Sequence, residues 1–239
     1  IFVFSSAHVL SKYTMDQIVR LGVSWVWMGL EGEDATYDKL RGIDVPALVK
    51  DLQDNGVRVL GSSIVGLENH TPENIGRVID YAVAYNTDFH QFMLYTPVPG
   101  TPLWNEHKAK GDLLSDDEAK LQDVHGQTRF NFHHKNIPAG VEGELLRNAF
   151  RADFERNGPS VLRIARTTLA GWVRHKNHPS ARVRERYRHD AQDLALNYAG
   201  GLWAAARWFA KSNPKVAETL RATLKAIIKE YGLKSRLAA

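Results

Sequence analysis

Apolar and polar positions along the first half of the chain alternate between two rhythms. Short, nearly continuous apolar runs occur at Ile1–Phe4, Val23–Leu30, Val57–Val65 and Phe89–Tyr95. Runs of this length, apolar almost throughout, are expected of strands covered on both faces. Between them the spacing changes to that of a helix. Met15–Leu21 follows Thr14 as a capping residue, carries Asp16 in its first turn and stops at Gly22. Val45, Leu48, Val49 and Leu52 fall on one helical face after the cap Asp44, and Gly56 ends that helix. Thr71-Pro72 has the form of a cap with proline at the first helical position, and Ile75, Val78, Ile79, Ala82 and Val83 form the buried stripe behind it. Ser115 and Glu118 form a capping box that predicts a helix to about Val124. Strand and helix alternating in this way predict βα units and a parallel sheet.

Beyond about residue 129 the strand rhythm disappears. Gly143–Asn157, Ser160–Lys176, Ser180–Lys211 and Pro214–Tyr231 all read as helices, the last bounded by Asn213-Pro214 and Gly232. The expected fold class is therefore α/β: about four βα units over residues 1–128, followed by an all-α region over 129–239. Four parallel strands do not close a barrel, for which eight is the usual number. Either the sheet is open, or further strands lie upstream of Ile1. The chain opens on a strand-like run without a methionine, which favours a piece of something longer.

Charge separates the same two regions. Residues 1–128 hold 10 Lys+Arg against 18 Asp+Glu, and residues 129–239 hold 21 against 9. Such asymmetry points to two regions with different tasks. The basic part contains the run Arg182–His189 and an aromatic stretch with Trp203, Trp208 and Phe209. A solvated basic face over a packed aromatic core is the plain reading. An anionic partner is the sharper one: arginine, lysine and tryptophan together suit a membrane surface, and basic charge alone suits nucleic acid equally. The 239 residues include no cysteine, so no disulfide, thiolate nucleophile or thiolate-held cluster is built from them. The ten histidines show no HExxH spacing, and no Gly-rich phosphate loop is present, so no protein-ligated metal is expected.

Three motifs stand in order at the strand ends: Gly29-Leu30-Glu31-Gly32, Gly61-Ser62-Ser63-Ile64-Val65-Gly66 and Pro97-Val98-Pro99-Gly100-Thr101-Pro102. Together, over about residues 1–128, they resemble the C-terminal half of the radical S-adenosylmethionine barrel. More specifically, they resemble the class with a cobalamin-binding domain before the barrel. In that superfamily the fourth strand often ends in Gly-Ile-Glu-Ser, the fifth runs Gly-x-x-Ile-x-Gly, and the sixth ends in Pro-x-Pro-Gly-Thr-Pro. Two departures stand out. Gly32 replaces the serine, and the usual Gly-Leu-Pro-Gly-Glu turn is Gly66-Leu67-Glu68-Asn69-His70 here.

The resemblance implies S-adenosylmethionine as cofactor, a 4Fe–4S cluster whose ligands are not in this chain, and cobalamin held by a domain also not in this chain. It implies an enzyme when complete, performing radical methylation or related C–H chemistry, with this portion inactive alone. By the same resemblance the cofactor-binding residues would be Glu31, Ser63, Ile64, Gly66, Leu94 and Tyr95. Glu31 and Ser63 would offer polar groups to a ribose or amine. Ile64 would wall an adenine, Gly66 would let it approach the backbone, and Leu94 and Tyr95 would close the far side. The Pro97–Pro102 turn reads as a rigid corner. Expected partners are a small-molecule or lipid substrate, an electron donor for the cluster, and a membrane touched through the basic helices, with nucleic acid less expected. The expected location is cytoplasmic. The alternative is a non-catalytic α/β binding module whose basic helices hold nucleic acid or an anionic membrane.

Overall fold

A computed structural model describes residues 1–30, 42–115, 117–120 and 124–238. Four strands form one sheet: β1 (Phe2–Ser5), β2 (Trp25–Gly29), β3 (Arg58–Val65) and β4 (Phe89–Leu94). Their spatial order is β1-β2-β3-β4 and all neighbours pair parallel. The α/β class read from the sequence is therefore observed. Each strand lies within a residue or two of its expected run.

The helices between strands form where capping and periodicity place them. Helix α1 (Ala7–Leu10) is a single turn capped by Ser6, and was not expected from the apolar pattern. Helix α2 (Met15–Leu21) has a reciprocal capping box between Thr14 and Gln17, and ends on left-handed Gly22. Helix α3 (Val45–Asp54) has the Asp44 side chain accepting from Ala47 N, and buries the four expected residues. Helix α4 (Ile75–Ala84) buries Ile75, Val78, Ile79, Ala82 and Val83, but it starts later than Thr71-Pro72 predicts. The Asn74 side chain accepts from Thr71 N at 2.8 Å, which holds residues 71–74 as a separate turn.

Helix α5 (Pro102–Lys110) follows directly on the Pro97–Pro102 corner and was not expected from the pattern. Thr101 caps it, Pro102 opens it and Gly111 stops it in the left-handed region. The helix expected from Ser115 is only a turn among its described residues, with residues 121–123 outside them. There Glu118 accepts from both the backbone N–H and the hydroxyl of Ser115.

The second half is helical: α6 (Glu142–Asn157), α7 (Ser160–His175), α8 (Ala181–Asp190), α9 (Ala199–Ser212), α10 (Pro214–Tyr231) and α11 (Leu233–Ala238). The single helix expected over Ser180–Lys211 is divided by a turn at residues 191–193, followed by a π-helical turn at Leu194–Tyr198. The two pieces answer to different neighbours. Val183 and Tyr187 of α8 pack with Val19 of α2, whereas Leu202 and Ala206 of α9 pack with Leu220 and Leu224 of α10.

Among the described residues, the two buried apolar clusters on the sheet lie on one face. Val26, Met28 and Val59 join α2 and α3 in one cluster, and Val65, Phe92 and Leu94 join α4 and α6 in another. Full burial of side chains of this size contributes roughly 1.5–3 kcal/mol each. The opposite face carries Phe2, Phe4, Trp25, Trp27, Leu60 and Phe89 and is open at its β1 side among the described residues, with Phe4 72% exposed and Phe2 52%. Phe4 and Trp27 are 4.7 Å apart by ring centroid, and Phe2 stacks on Trp27 at 6.4 Å.

Two glycines set how closely the helical half approaches the sheet. A Cβ on Gly171 of α7 would lie 2.5 Å from Gly56 Cα and 2.8 Å from the Tyr187 ring. The Tyr187 hydroxyl donates to Asn55 O at 2.5 Å, and His175 Nε2 lies 3.2 Å from Asn55 Oδ1. Gly171→Ala is accordingly expected to lower stability by about 1–3 kcal/mol in urea unfolding. Gly201→Ala, at an α9 position with open space around it, is expected to leave stability unchanged or raise it by up to about 1 kcal/mol.

Candidate functional site

Strand register sorts the open face into layers. Phe2, Trp25 and Arg58 are level with one another, and Phe4, Trp27, Leu60 and Phe89 form the next layer. Gly29, Ser62 and Gln91 follow, and Ile64 and Met93 lie nearest the strand C-termini. Arg58 is tied at the lower end by Asp190 of α8, 3.4 Å away, and lies over the Trp25 ring. The face is thus aromatic low down, with polar Ser62 and Gln91 above and apolar Ile64 and Met93 at the strand ends. Gln91 Oε1 is buried and accepts no hydrogen bond. An orphaned buried acceptor costs about 1–3 kcal/mol unless something donates to it.

The expected site residues divide between the two faces. Ile64 is half-buried on the open face, level with Met93. Ser63 points the other way. Its hydroxyl donates to Leu30 O at 2.5 Å and lies 3.0 Å from His90 Nε2. With its proton on Leu30 O, Ser63 can only accept from His90, which fixes the Nε2–H tautomer. Its neighbour Ser62 is the serine presented to the open face.

Leu94 is buried in the core, and its backbone is engaged: its N–H donates to Gly126 O at 2.6 Å and its carbonyl accepts from Thr96. Tyr95 is half-buried, donates through its N–H to Val65 O, and sets its ring 6.0 Å from His107 and 5.7 Å from Phe132. Glu31 lies outside the described residues.

Gly66 is held in the left-handed region at φ 82°, and a Cβ there would meet the Phe130 ring at 2.5 Å. Phe130 already fills the space beside this glycine. A ligand is not needed to explain the absent side chain.

The loop after β3 is organised by histidines that the motif comparison passed over. His70 Nδ1 accepts from both Gly66 N and Leu67 N, at 3.0 and 3.1 Å. His134 Nδ1 accepts from Asn136 N and Ile137 N, and its Nε2 donates to Leu67 O at 3.1 Å. Below them His107, fully buried, holds Asp112 Oδ1 at 2.8 Å through Nδ1 and faces Glu68 Oε1 at 3.6 Å. Lys110 donates to Glu68 at 2.7 Å and holds that carboxyl below its usual range. The signal for His70 was its place four residues after a strand-ending glycine, where an imidazole reaches back to free N–H groups. Among the described residues no three His, Asp or Glu side chains are placed to hold a metal ion.

No family model matches the chain. A Pyrococcus horikoshii protein described as an uncharacterized methyltransferase is 31% identical over 114 residues, covering 48% of this chain and 24% of that protein. The chain thus matches about a quarter of that relative's length. The likeness is to a methyltransferase of unspecified class.

Burial, aided by the Arg163 charge, holds the His90 imidazole down to about 4. Burial also holds His175 at about 4. A histidine depressed in the folded state contributes its full stability above its ordinary value of 6.5. It loses that contribution as the pH falls toward 4, because only the unfolded chain takes up the proton. Stability is therefore expected to fall between pH 6.5 and 4, with His90 contributing on the order of 3 kcal/mol. His90→Gln should flatten that slope in urea titrations; an unchanged slope would remove His90 as a cause.

Proposed function

We propose that this chain is the C-terminal arc of a radical S-adenosylmethionine barrel of the cobalamin-associated class, acting in a methyltransferase. The observation that carries the proposal is the graded open face. Sequential parallel strands with helices on one side are the arrangement of a barrel wall, whose interior is packed below and binds ligand at the strand C-termini. Aromatic layers under Ser62, Gln91, Ile64 and Met93 fit that pattern, as do the three strand-end motifs. The likeness to a protein described as a methyltransferase supports the reaction class.

The residues present suit an adenosine-bearing cofactor. Ile64 and Met93 offer apolar contact, and Ser62 a hydroxyl. Gln91 Oε1 offers an acceptor in need of a donor. Ser63, bonded to Leu30 and His90, would position the strand rather than touch the cofactor, and Gly66 and Leu94 would do the same through their packing. Tyr95, half-buried beside His107 and Phe132, would close the far side, and Glu31 would offer its carboxylate to a ribose or amine. Bound, S-adenosylmethionine supplies the methyl group or radical equivalent; these side chains orient it and exclude water. The chain does not fit an iron–sulfur cluster, since it has no cysteine. Cluster ligands and a cobalamin domain would be contributed from outside these residues.

The test is Gln91→Leu in the full-length polypeptide, with calorimetric titration of S-adenosylmethionine. Removing an unsatisfied acceptor should leave apo stability unchanged or raise it by about 1–2 kcal/mol, while affinity falls about tenfold. Unchanged affinity would remove this face as the cofactor site and favour the non-catalytic binding module.

A further inference from the structure

The basic run on α8 is occupied in holding the chain together. Arg182 donates to Arg20 O at the end of α2, and Arg186 donates to Val23 O at 2.7 Å and to Val19 O. Arg184 holds His178 O and Pro179 O, and Arg188 pairs with Glu185. A charged surface free to meet a partner lies elsewhere, on α9.

Helix α9 contains no acidic residue. Its inner side buries Ala199, Leu202 and Ala206. Its outer side exposes Trp203, Ala204, Arg207, Trp208 and Lys211, with Trp208 80% and Trp203 42% exposed. At about 100° per residue these span roughly 140° of the helix, tryptophans at the margins and cations between. The Arg207 guanidinium lies 5.0 Å from the Trp203 ring centre. Leu196, on the π-helical turn leading into α9, and Leu237 of α11 are also exposed.

We infer that this outer face of α9 docks on an anionic lipid surface. Tryptophan rings settle where apolar and wet regions meet, and arginine and lysine beside them are drawn to acidic headgroups. Lys215, at the start of α10, lines a separate cavity with Glu155 and Arg166, and Glu230 is paired with Lys176. A second copy of the chain fits poorly, because it would bring the same acid-free helix against its own cations. A nucleic acid would use the cations and stack on the tryptophans, but has no use for the exposed leucines. The helix lies on the surface: among the described residues, none is long and apolar enough to cross a membrane.

The test is flotation of the purified protein with vesicles of phosphatidylcholine containing about a third phosphatidylglycerol, against phosphatidylcholine alone. Binding is expected on the anionic vesicles, with brominated lipid quenching tryptophan emission. W203A/W208A and R207Q/K211Q should each stay folded by circular dichroism. Each should lose binding, the second by roughly 30-fold at about 1 kcal/mol per cation. Equal binding to neutral vesicles overturns the proposal, as does binding that survives W203A/W208A, which would assign it to the open sheet face. No vesicle binding, with salt-sensitive binding to single-stranded DNA instead, also overturns it and assigns the face to nucleic acid.

Discussion

The architecture depends on one buried carboxylate at the foot of the sheet. Asp88, just before β4, accepts from Val59 N of β3 at 2.8 Å, from Gln53 of α3 at 3.1 Å and from Thr167 of α7 at 2.5 Å. Burial pushes its carboxyl above the usual range, against these hydrogen bonds. Three elements thus converge on one side chain that water does not reach. Beside it Arg163 of α7 forms a two-pronged pair with Asp153 of α6 and donates to Thr87 O. Such a pair contributes little net stability when complete and costs several kcal/mol when broken, so its value is in fixing geometry. It becomes possible because Gly56 and Gly171 let α7 come down to backbone contact.

With α7 anchored there, the described helices bury their apolar residues on one face of the sheet, and the other carries the aromatic and polar layers. His70, His134 and the His107–Asp112 pair bind backbone and carboxylate groups around the strand-end loops. Chemistry at the strand ends would therefore be presented by a loop whose own hydrogen bonds are already made.

Much of this was legible in the sequence because it is local. The Thr14 cap, the Asp44 cap, the four apolar runs and the Pro214–Tyr231 helix each announce themselves within a few residues. What was not legible depends on partners far along the chain. In Gly61–Gly66 every position is small or apolar, so the pattern does not say that Ser62 faces outward and Ser63 inward; the register with β2 and β4 decides it. Gly66 was read against a ligand, whereas Phe130, 64 residues later, fills the space beside it. The arginines of α8 look like a solvated patch until the exposed carbonyls at the end of α2 are placed opposite them. Helix α5 is different: its cap, proline and stop were all present, and a proline-rich context obscured them.

The π-helical turn at Leu194–Tyr198 has a consequence for how this protein tolerates change in length. Leu194 and Ala199 are five apart and both fully buried. In a regular α-helix, residues five apart would point about 140° away from each other. The wider turn absorbs the extra residue and sets the rotational phase of everything downstream to Ser212. A one-residue deletion here would act as a gear shift. To keep Leu202 and Ala206 inside, the helix would have to re-thread by a position; otherwise the outward tryptophans would rotate by roughly a quarter turn. The phase of α9, more than its composition, therefore determines what this half of the molecule shows to its surroundings.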